Sequence, residues 1–80
     1  MRYRIAALTG ARIRAARLAQ GRTQRELAHE VAVTPAVVTR WETGSHAPHL
    51  ENLVRVGIAL GVEPGSLVPS RQEVEQYGEQ

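Results

Sequence analysis

Arginine is the residue type with the clearest chemistry in this chain, and it is concentrated in one half. Residues 1–40 hold eight arginines against Glu26 and Glu30, whereas residues 41–80 hold two arginines against six glutamates. Guanidinium groups bind phosphates, and neutralising phosphates releases counterions, so a basic half on a small domain suits a polyanion. A solvated, arginine-rich surface is the plain alternative, and the charge distribution alone does not separate the two.

Other residue types argue against several functions. The chain has no cysteine and no aspartate, no glycine-rich phosphate loop and no convergent pair of carboxylates. We therefore expect neither enzyme activity nor a cofactor. His46 and His49 have the spacing of a metal pair, but Pro48 lies between them and no third ligand is near, so zinc is not expected. The apolar runs are far shorter than the roughly 20 residues that cross a bilayer, which predicts a cytoplasmic protein.

Glycines and capping residues divide the chain into helices. Gly21, Gly44 and Gly61 each follow a stretch with helical apolar spacing, where a helix favours a left-handed residue after its end. No strand-like alternation competes with this pattern. The sequence therefore predicts an all-α protein with a single compact domain over residues 10–68. Residues 1–9 are predicted as an N-terminal arm, and residues 69–80 as a polar tail that is frayed or contacts a partner.

Five helices are predicted within residues 10–68. The first runs from Gly10 to Gln20 with Thr9 as its N-cap. The second follows a capping box formed by Thr23 and Glu26 and stops near Val31. The remaining three are predicted over 34–43, opened by a capping threonine and a proline, over 49–60, and over 64–68.

The predicted core comes from the apolar spacing within these helices. In the fourth helix the residues expected to face inward are Leu50, Leu53, Val54, Gly57 and Leu60. Close helix packing would explain a glycine at position 57. Leu67 is expected to cover the core.

Residues 24–43 have the spacing of a helix-turn-helix, in which two short helices cross steeply. Ala28 supplies the small residue where the helices approach, and Val38 and Trp41 supply the anchors of the second helix. Ala32 occupies the turn, where glycine is usual because the backbone there is strained.

The chain resembles the phage repressor, Cro and Xre-type helix-turn-helix proteins from about Ala11 to Leu67. The matching positions are Ile13-Arg14, Arg17, Gly21, Thr23-Gln24, Glu26-Leu27-Ala28, Val33-Thr34, Val38, Trp41-Glu42-Thr43-Gly44, Pro48, Leu50-Glu51, Leu53 and Leu60-Gly61-Val62. The resemblance implies a compact five-helix repressor-like domain whose third helix, 34–43, lies in the major groove of double-stranded DNA.

The resemblance also implies roles for individual residues. The positions that read bases, or lie beside those that do, are Pro35, Ala36, Val37, Thr39 and Arg40. The positions expected near DNA phosphates are Arg22, Gln24, Thr34, Thr43, Ser45 and His46. Arg17 and Glu42 match a pair that forms a partly buried ion pair in several relatives. Arg22 stands where relatives often carry an apolar residue, and the reading face is poor in hydrogen-bonding groups.

Together these observations predict a transcriptional regulator, and a repressor in particular, that binds an operator sequence-specifically. Arg40 can donate two hydrogen bonds to guanine O6 and N7, and Ala36 and Val37 can pack against thymine methyl groups. Homodimers on inverted half-sites are the usual arrangement. Arg2 to Arg4 could form a basic arm on the DNA, although a disordered or locally folded terminus is the simpler interpretation. The alternative function is a protein-interaction module of the antitoxin or coactivator kind, with its partner bound at 35–37.

Overall fold

The structure, a computed structural model, describes residues 2–78, with side chains from 5 to 76. It contains five α-helices, with a short 3-10 helix between the fourth and the fifth. Their bounds are α1 Arg2–Ala19, α2 Gln24–Glu30, α3 Pro35–Thr43, α4 Leu50–Leu60, the 3-10 helix Pro64–Leu67, and α5 Arg71–Gly78. The predicted all-α class is confirmed. Within residues 2–78 no helix is both long enough and apolar enough to span a bilayer.

One hydrophobic core joins α1, α2, α3, α4 and the 3-10 helix. Its buried members are Ile13, Leu27, Ala28, Val31, Val38, Trp41, Val56, Leu60 and Leu67. The tightest approach is between α1 and α3, where a Cβ atom built on Gly10 would lie 1.9 Å from the carbonyl oxygen of Trp41. Backbone therefore packs directly on backbone at this crossing, and only glycine fits.

The capping residues predicted for α2 and α3 form those contacts. The Thr23 hydroxyl accepts from the Glu26 amide at 3.0 Å, and the Thr23 amide donates to the Glu26 carboxylate at 2.8 Å. The hydrogen bond from the Thr23 amide is the main cause that lowers the pKa of Glu26 below its ordinary value. At the start of α3 the Thr34 side chain accepts from the Val37 amide, and Pro35 follows as the first helical residue.

The turn between α2 and α3 is held in a strained conformation. Ala32 has φ = 59°, and it is the one non-glycine residue with positive φ in the part of the chain that the structure describes. The turn is tied to the end of α2, because the amide of the next residue, Val33, donates to the Ala28 carbonyl at 3.0 Å. Ala32 therefore adopts the left-handed conformation for which glycine is usual at this position.

The core face of α4 differs from the prediction. Leu50 and Val54 were expected to face inward, yet their side chains are exposed, whereas Val56 is fully buried. The helix is apolar around most of its circumference, so its spacing alone does not select one face. The prediction for Gly57 holds, since a Cβ there would lie 2.8 Å from the Pro64 side chain. Leu67 is buried over the core, as predicted.

The N-terminal end of α1 also differs. The helix begins at Arg2 rather than at Gly10, and Thr9 is a buried residue inside it, so its prediction as an N-cap is wrong. The extra turns are held by packing, because a Cβ on Gly44 would lie 2.9 Å from the Ala7 Cα atom. The predicted arm is therefore helical from residue 2. Met1 and the side chains of residues 2–4 lie outside the described residues.

The predicted frayed tail is wrong for residues 71–78, which form α5. The Ser70 hydroxyl accepts from the Glu73 amide at 3.1 Å and the Ser70 amide donates to the Glu73 carboxylate at 2.8 Å, which is a second capping box. Arg12 of α1 forms an ion pair with Glu73 and donates to the Val68 carbonyl at 2.8 Å. These contacts hold α5 against α1. Residues 79 and 80 lie outside the described residues, and a partner contact by the tail stays a prediction.

Candidate nucleic-acid interface

Helix α3 divides into an anchored face and a free face. Val38 and Trp41 are buried in the core, and Val37 packs partly buried at its edge. The side chains of Pro35, Ala36, Thr39, Arg40 and Thr43 are exposed. Residues at spacings of three and four share one side of a helix, so 36, 39, 40 and 43 form one continuous surface. The structure thus brings four of the five predicted base-reading residues fully to the surface and leaves Val37 at the margin.

The free face is held in place by a buried ion pair between α1 and α3. Arg17 donates from Nε to one Glu42 oxygen at 2.7 Å and from Nη2 to the other at 3.0 Å. Its Nη1 donates to the Arg22 carbonyl at 2.7 Å. The two side chains retain only 9% and 2% of their exposure. The pair predicted from the resemblance is present in the bidentate geometry that best matches a guanidinium to a carboxylate.

The charge of Arg17 persists at any ordinary pH. The hydrogen bond to Glu42 is the largest influence on Arg17 and raises its pKa, and the carboxylate's charge acts in the same direction. Burial opposes this shift without overcoming it. The bidentate contact of Arg17 with Glu42 fixes the orientation of α3 on α1.

Gln24 extends this contact to the free face of α3. Its Nε2 atom donates to Glu42 at 2.9 Å, and its Oε1 atom accepts from the Thr39 hydroxyl at 2.9 Å. The Thr39 hydroxyl also lies 3.1 Å from the Pro35 carbonyl. One hydrogen-bonded chain therefore runs from α1 through the first residue of α2 to the middle of α3. Gln24 keeps one N–H that these bonds do not use.

The predicted phosphate-contact residues at the end of α3 form one cluster around a backbone carbonyl. The carbonyl of Arg40 accepts from the amides of Ser45 and His46 at 3.1 and 3.3 Å, and from the Thr43 hydroxyl at 3.2 Å. The loop after α3 is thereby folded back onto the helix. Thr43, Ser45 and His46 are all exposed, and each forms a hydrogen bond to the backbone carbonyl of Arg40.

A groove of about 180 Å³ between α3 and the start of α4 adds residues that the sequence reasoning did not select. Its walls include Arg40 and His46, together with His49 and Asn52 from the α4 side. Asn52 is the single asparagine of the chain. Its position in the first turn of a helix that follows a proline-containing loop is the sequence feature that could have identified it as a site residue.

Two further predicted phosphate contacts are placed differently from one another. Thr34 is exposed, and its hydroxyl oxygen accepts from the Val37 amide at 3.4 Å, so its hydrogen remains free to donate. The Arg22 guanidinium pairs with Glu30. A phosphate at Arg22 would have to compete with that carboxylate.

A helix-turn-helix family model matches residues 13–67, which is most of the chain. The chain belongs to the helix-turn-helix family of the phage repressor, Cro and Xre type. A search of curated proteins found no match.

Several solved structures are similar to this helix-turn-helix protein. The P22 c2 repressor, solved in complex with a synthetic operator, is 35% identical over 75% of this chain and 91% of its own, with a TM-score of 0.73. The clp gene regulator ClgR from Corynebacterium glutamicum is 32% identical over 79% and 67%, with a TM-score of 0.76. The restriction-modification controller protein C.AhdI from Aeromonas hydrophila is 31% identical over 81% and 98%, with a TM-score of 0.77.

Family and fold together establish the general function. This helix-turn-helix protein is a DNA-binding transcription regulator and not an enzyme, as the sequence predicted.

Proposed function

We propose that this protein is a repressor that binds an operator sequence-specifically as a homodimer, with α3 in the major groove of each half-site. The observation that carries the proposal is the free face of α3, which is exposed at 36, 39, 40 and 43 while the opposite face is anchored by Val38 and Trp41. A rigid helix with one free side is what major-groove reading needs. The P22 c2 repressor, which was solved with an operator, supports the same use of the fold.

Base reading on this face centres on Arg40. Its guanidinium is exposed, and among the described side chains no carboxylate forms an ion pair with it. It is therefore free to donate two hydrogen bonds to a guanine, while Ala36, Val37 and Pro35 offer apolar contacts for thymine methyl groups. The Thr39 hydrogen is directed inward to Gln24, so its oxygen suits the amino groups of adenine or cytosine.

Phosphate contacts are proposed around the rim of this face. Thr34 has a free hydroxyl hydrogen, and Gln24 has an unused N–H at the first turn of α2. Thr43, Ser45 and His46 flank the C-terminal end of α3. Arg22 would contact a phosphate if the phosphate replaced Glu30 as its ion-pair partner. Such a regulator acts on the nucleoid, in the cytoplasm of a bacterial or phage-infected cell.

The test is selection from a random duplex pool, followed by fluorescence-anisotropy titration of the enriched site. We expect a short inverted repeat with a guanine in each half-site and an affinity that falls steeply with salt. Arg40→Ala should cost about 1–3 kcal/mol of discrimination for that guanine. Arg71→Ala is the matched control, because it removes the same charge from α5 and should leave the preference unchanged. An unchanged preference in Arg40→Ala would overturn the assignment of Arg40.

A second candidate function rests on the exposed apolar pair Pro35 and Ala36, which could receive a protein partner instead of DNA. The same experiment separates the two candidates. A protein-interaction module would enrich no site, and any residual binding to duplex DNA would be weak, independent of sequence and lost as salt is raised.

A further inference from the structure

Helix α4 carries a row of apolar side chains that the fold leaves uncovered. Leu50, Val54 and Ile58 are exposed by 76%, 39% and 74%, which for the first and last is most of the side chain. They are four residues apart and therefore lie along one side of the helix over about 12 Å. We call these three residues the α4 stripe.

The α4 stripe is not part of the hydrophobic core. The core side of α4 is already formed by Val56, Gly57 and Leu60, which are buried. Only three of the eleven residues in α4 are polar. A helix that is apolar well beyond its core face is typical of one that is covered on a second side.

We propose that the α4 stripe is covered by the same stripe of a second copy of this chain, with the two helices antiparallel about a two-fold axis at Val54. An isologous contact of this kind requires a surface that complements itself. The stripe does so, because Leu50 and Ile58 lie at equal distances on either side of Val54. Each Leu50 would then face Ile58 of the partner subunit.

The charges beside the stripe have the matching symmetry. Glu51 and Arg55 lie one turn apart on the same flank and form an ion pair within the helix at 3.0 Å. In an antiparallel pair centred on Val54, the levels of Glu51 and of Arg55 of the partner subunit differ by only about 3 Å at 1.5 Å per residue. The two-fold axis keeps both on the same flank, so two opposite-charge contacts form across the interface.

The α4 stripe and the DNA face can be occupied together. Asn52, which lines the groove shared with α3, is two residues from Val54 and therefore about 200° away around the helix. A second copy on the stripe leaves α3 free. The inference rests on the proposed dimeric operator binding for its biological use, and it names the surface that joins the two copies.

The experiment is sedimentation velocity on the full chain without DNA, over a range of concentrations. The parent should dimerise, and Leu50→Glu with Ile58→Glu should weaken the dimer at least about a hundredfold, because four charges would be buried without partners. Leu18→Glu is the matched control, since Leu18 is an exposed leucine on α1. Circular dichroism checks that each variant stays folded.

A charge exchange tests the antiparallel arrangement. Glu51→Arg alone and Arg55→Glu alone should each weaken the dimer about fivefold or more, and the two together should restore it. A parent that is monomeric throughout, both free and on an inverted repeat, would overturn the proposal, and so would equal weakening by Leu18→Glu or no restoration by the double exchange.

A single half-site duplex distinguishes this failure from failure of the proposed function. The Leu50→Glu, Ile58→Glu variant should bind one half-site as the parent monomer does and lose only the cooperative binding to the inverted repeat. If the parent itself showed no specific binding to a half-site, that result would contradict the DNA-reading proposal, while the dimer measurement would remain valid.

Discussion

Two arginines of α1, five residues apart, each tie a different helix to the same support. Arg17 holds the recognition helix α3 through Glu42, and Arg12 holds the C-terminal helix α5 through Glu73. Each arginine also donates to a backbone carbonyl, of Arg22 and Val68 respectively. The bonding pattern is thus nearly the same in both places.

Burial is what differs. The side chains of the Arg17–Glu42 pair keep 9% and 2% of their exposure, whereas those of Arg12–Glu73 keep 31% and 34%. Breaking a buried pair leaves a charge without water or partner, whereas breaking an exposed one returns both groups to solvent. Helix α3 is therefore fixed on α1, whereas α5 is attached by a contact that opens at little cost.

Removing one partner of the buried pair should give the largest effect. Glu42→Ala strands the Arg17 guanidinium and removes the acceptor of Gln24, so we expect the free energy of unfolding to fall by about 3–5 kcal/mol. Urea denaturation at neutral pH measures this loss. A loss below about 1 kcal/mol would show that the pair contributes no more than an ordinary surface pair.

The backbone contact of α1 with α3 should be nearly as sensitive. Gly10→Ala forces a methyl group into the Trp41 carbonyl, and overpacking of this kind costs about 1–3 kcal/mol even in a core that can adjust. Gly65→Ala is the control, because no atom lies within 4 Å of a Cβ placed there. Thermal unfolding of both variants would show whether the rigid side of α1 responds selectively. Equal melting temperatures would contradict the packing argument.

Loss of the exposed pair should have a small and local effect. Arg12→Ala is expected to lower the free energy of unfolding by no more than about 1 kcal/mol. Amide hydrogen exchange should nevertheless speed up in α5 while remaining unchanged in α3. Faster exchange in both helices would mean that α5 supports the core, and the contrast between the two attachments would then disappear.

Acid should weaken the attachment of α5 in a defined pH window. The Ser70 amide, with the Arg12 guanidinium beside it, holds the pKa of Glu73 below its ordinary value of 4.5. A lowered pKa in the folded state means that the contribution is present above pH 4.5 and is lost as the pH falls through the folded value. The protection factors of the α5 amides, which correct for the pH dependence of intrinsic exchange, should therefore fall below that point. A Glu73→Gln variant, which cannot titrate, should not show this step.

The two capping boxes show how far sequence reasoning extends. Thr23 and Glu26 predict a helix start, whereas Ser70 and Glu73 have the same spacing but lie in a stretch predicted as a frayed tail. The two helices differ after their first turn, because α2 continues with two buried apolar residues and α5 is mostly polar. The contact that attaches α5 to the rest of the fold comes from Arg12, which is 61 residues away from Glu73 in the sequence and is brought near only by the fold.

The start of α1 and the contact between Gln24 and Thr39 also depend on tertiary packing. Thr9 has the residue type of an N-cap, and nothing local shows that Ala7 and Gly10 are pressed against the end of α3. The start and end of α3 followed from local capping rules, and the Arg17–Glu42 pair followed from the family resemblance. The link from Gln24 to Thr39 depends on the crossing of α2 and α3, which spacing does not define.

The left-handed alanine in the turn has a consequence for how this protein can change over generations. A non-glycine residue in that conformation carries a strain of about 1–2 kcal/mol, and glycine, which removes it, is one nucleotide away from any alanine codon. The lineage therefore has a compensating mutation within easy reach at Ala32. A destabilising change on the reading face of α3, such as one that retunes operator preference, can be offset there without touching the DNA contacts, which widens the range of operators that its descendants can explore.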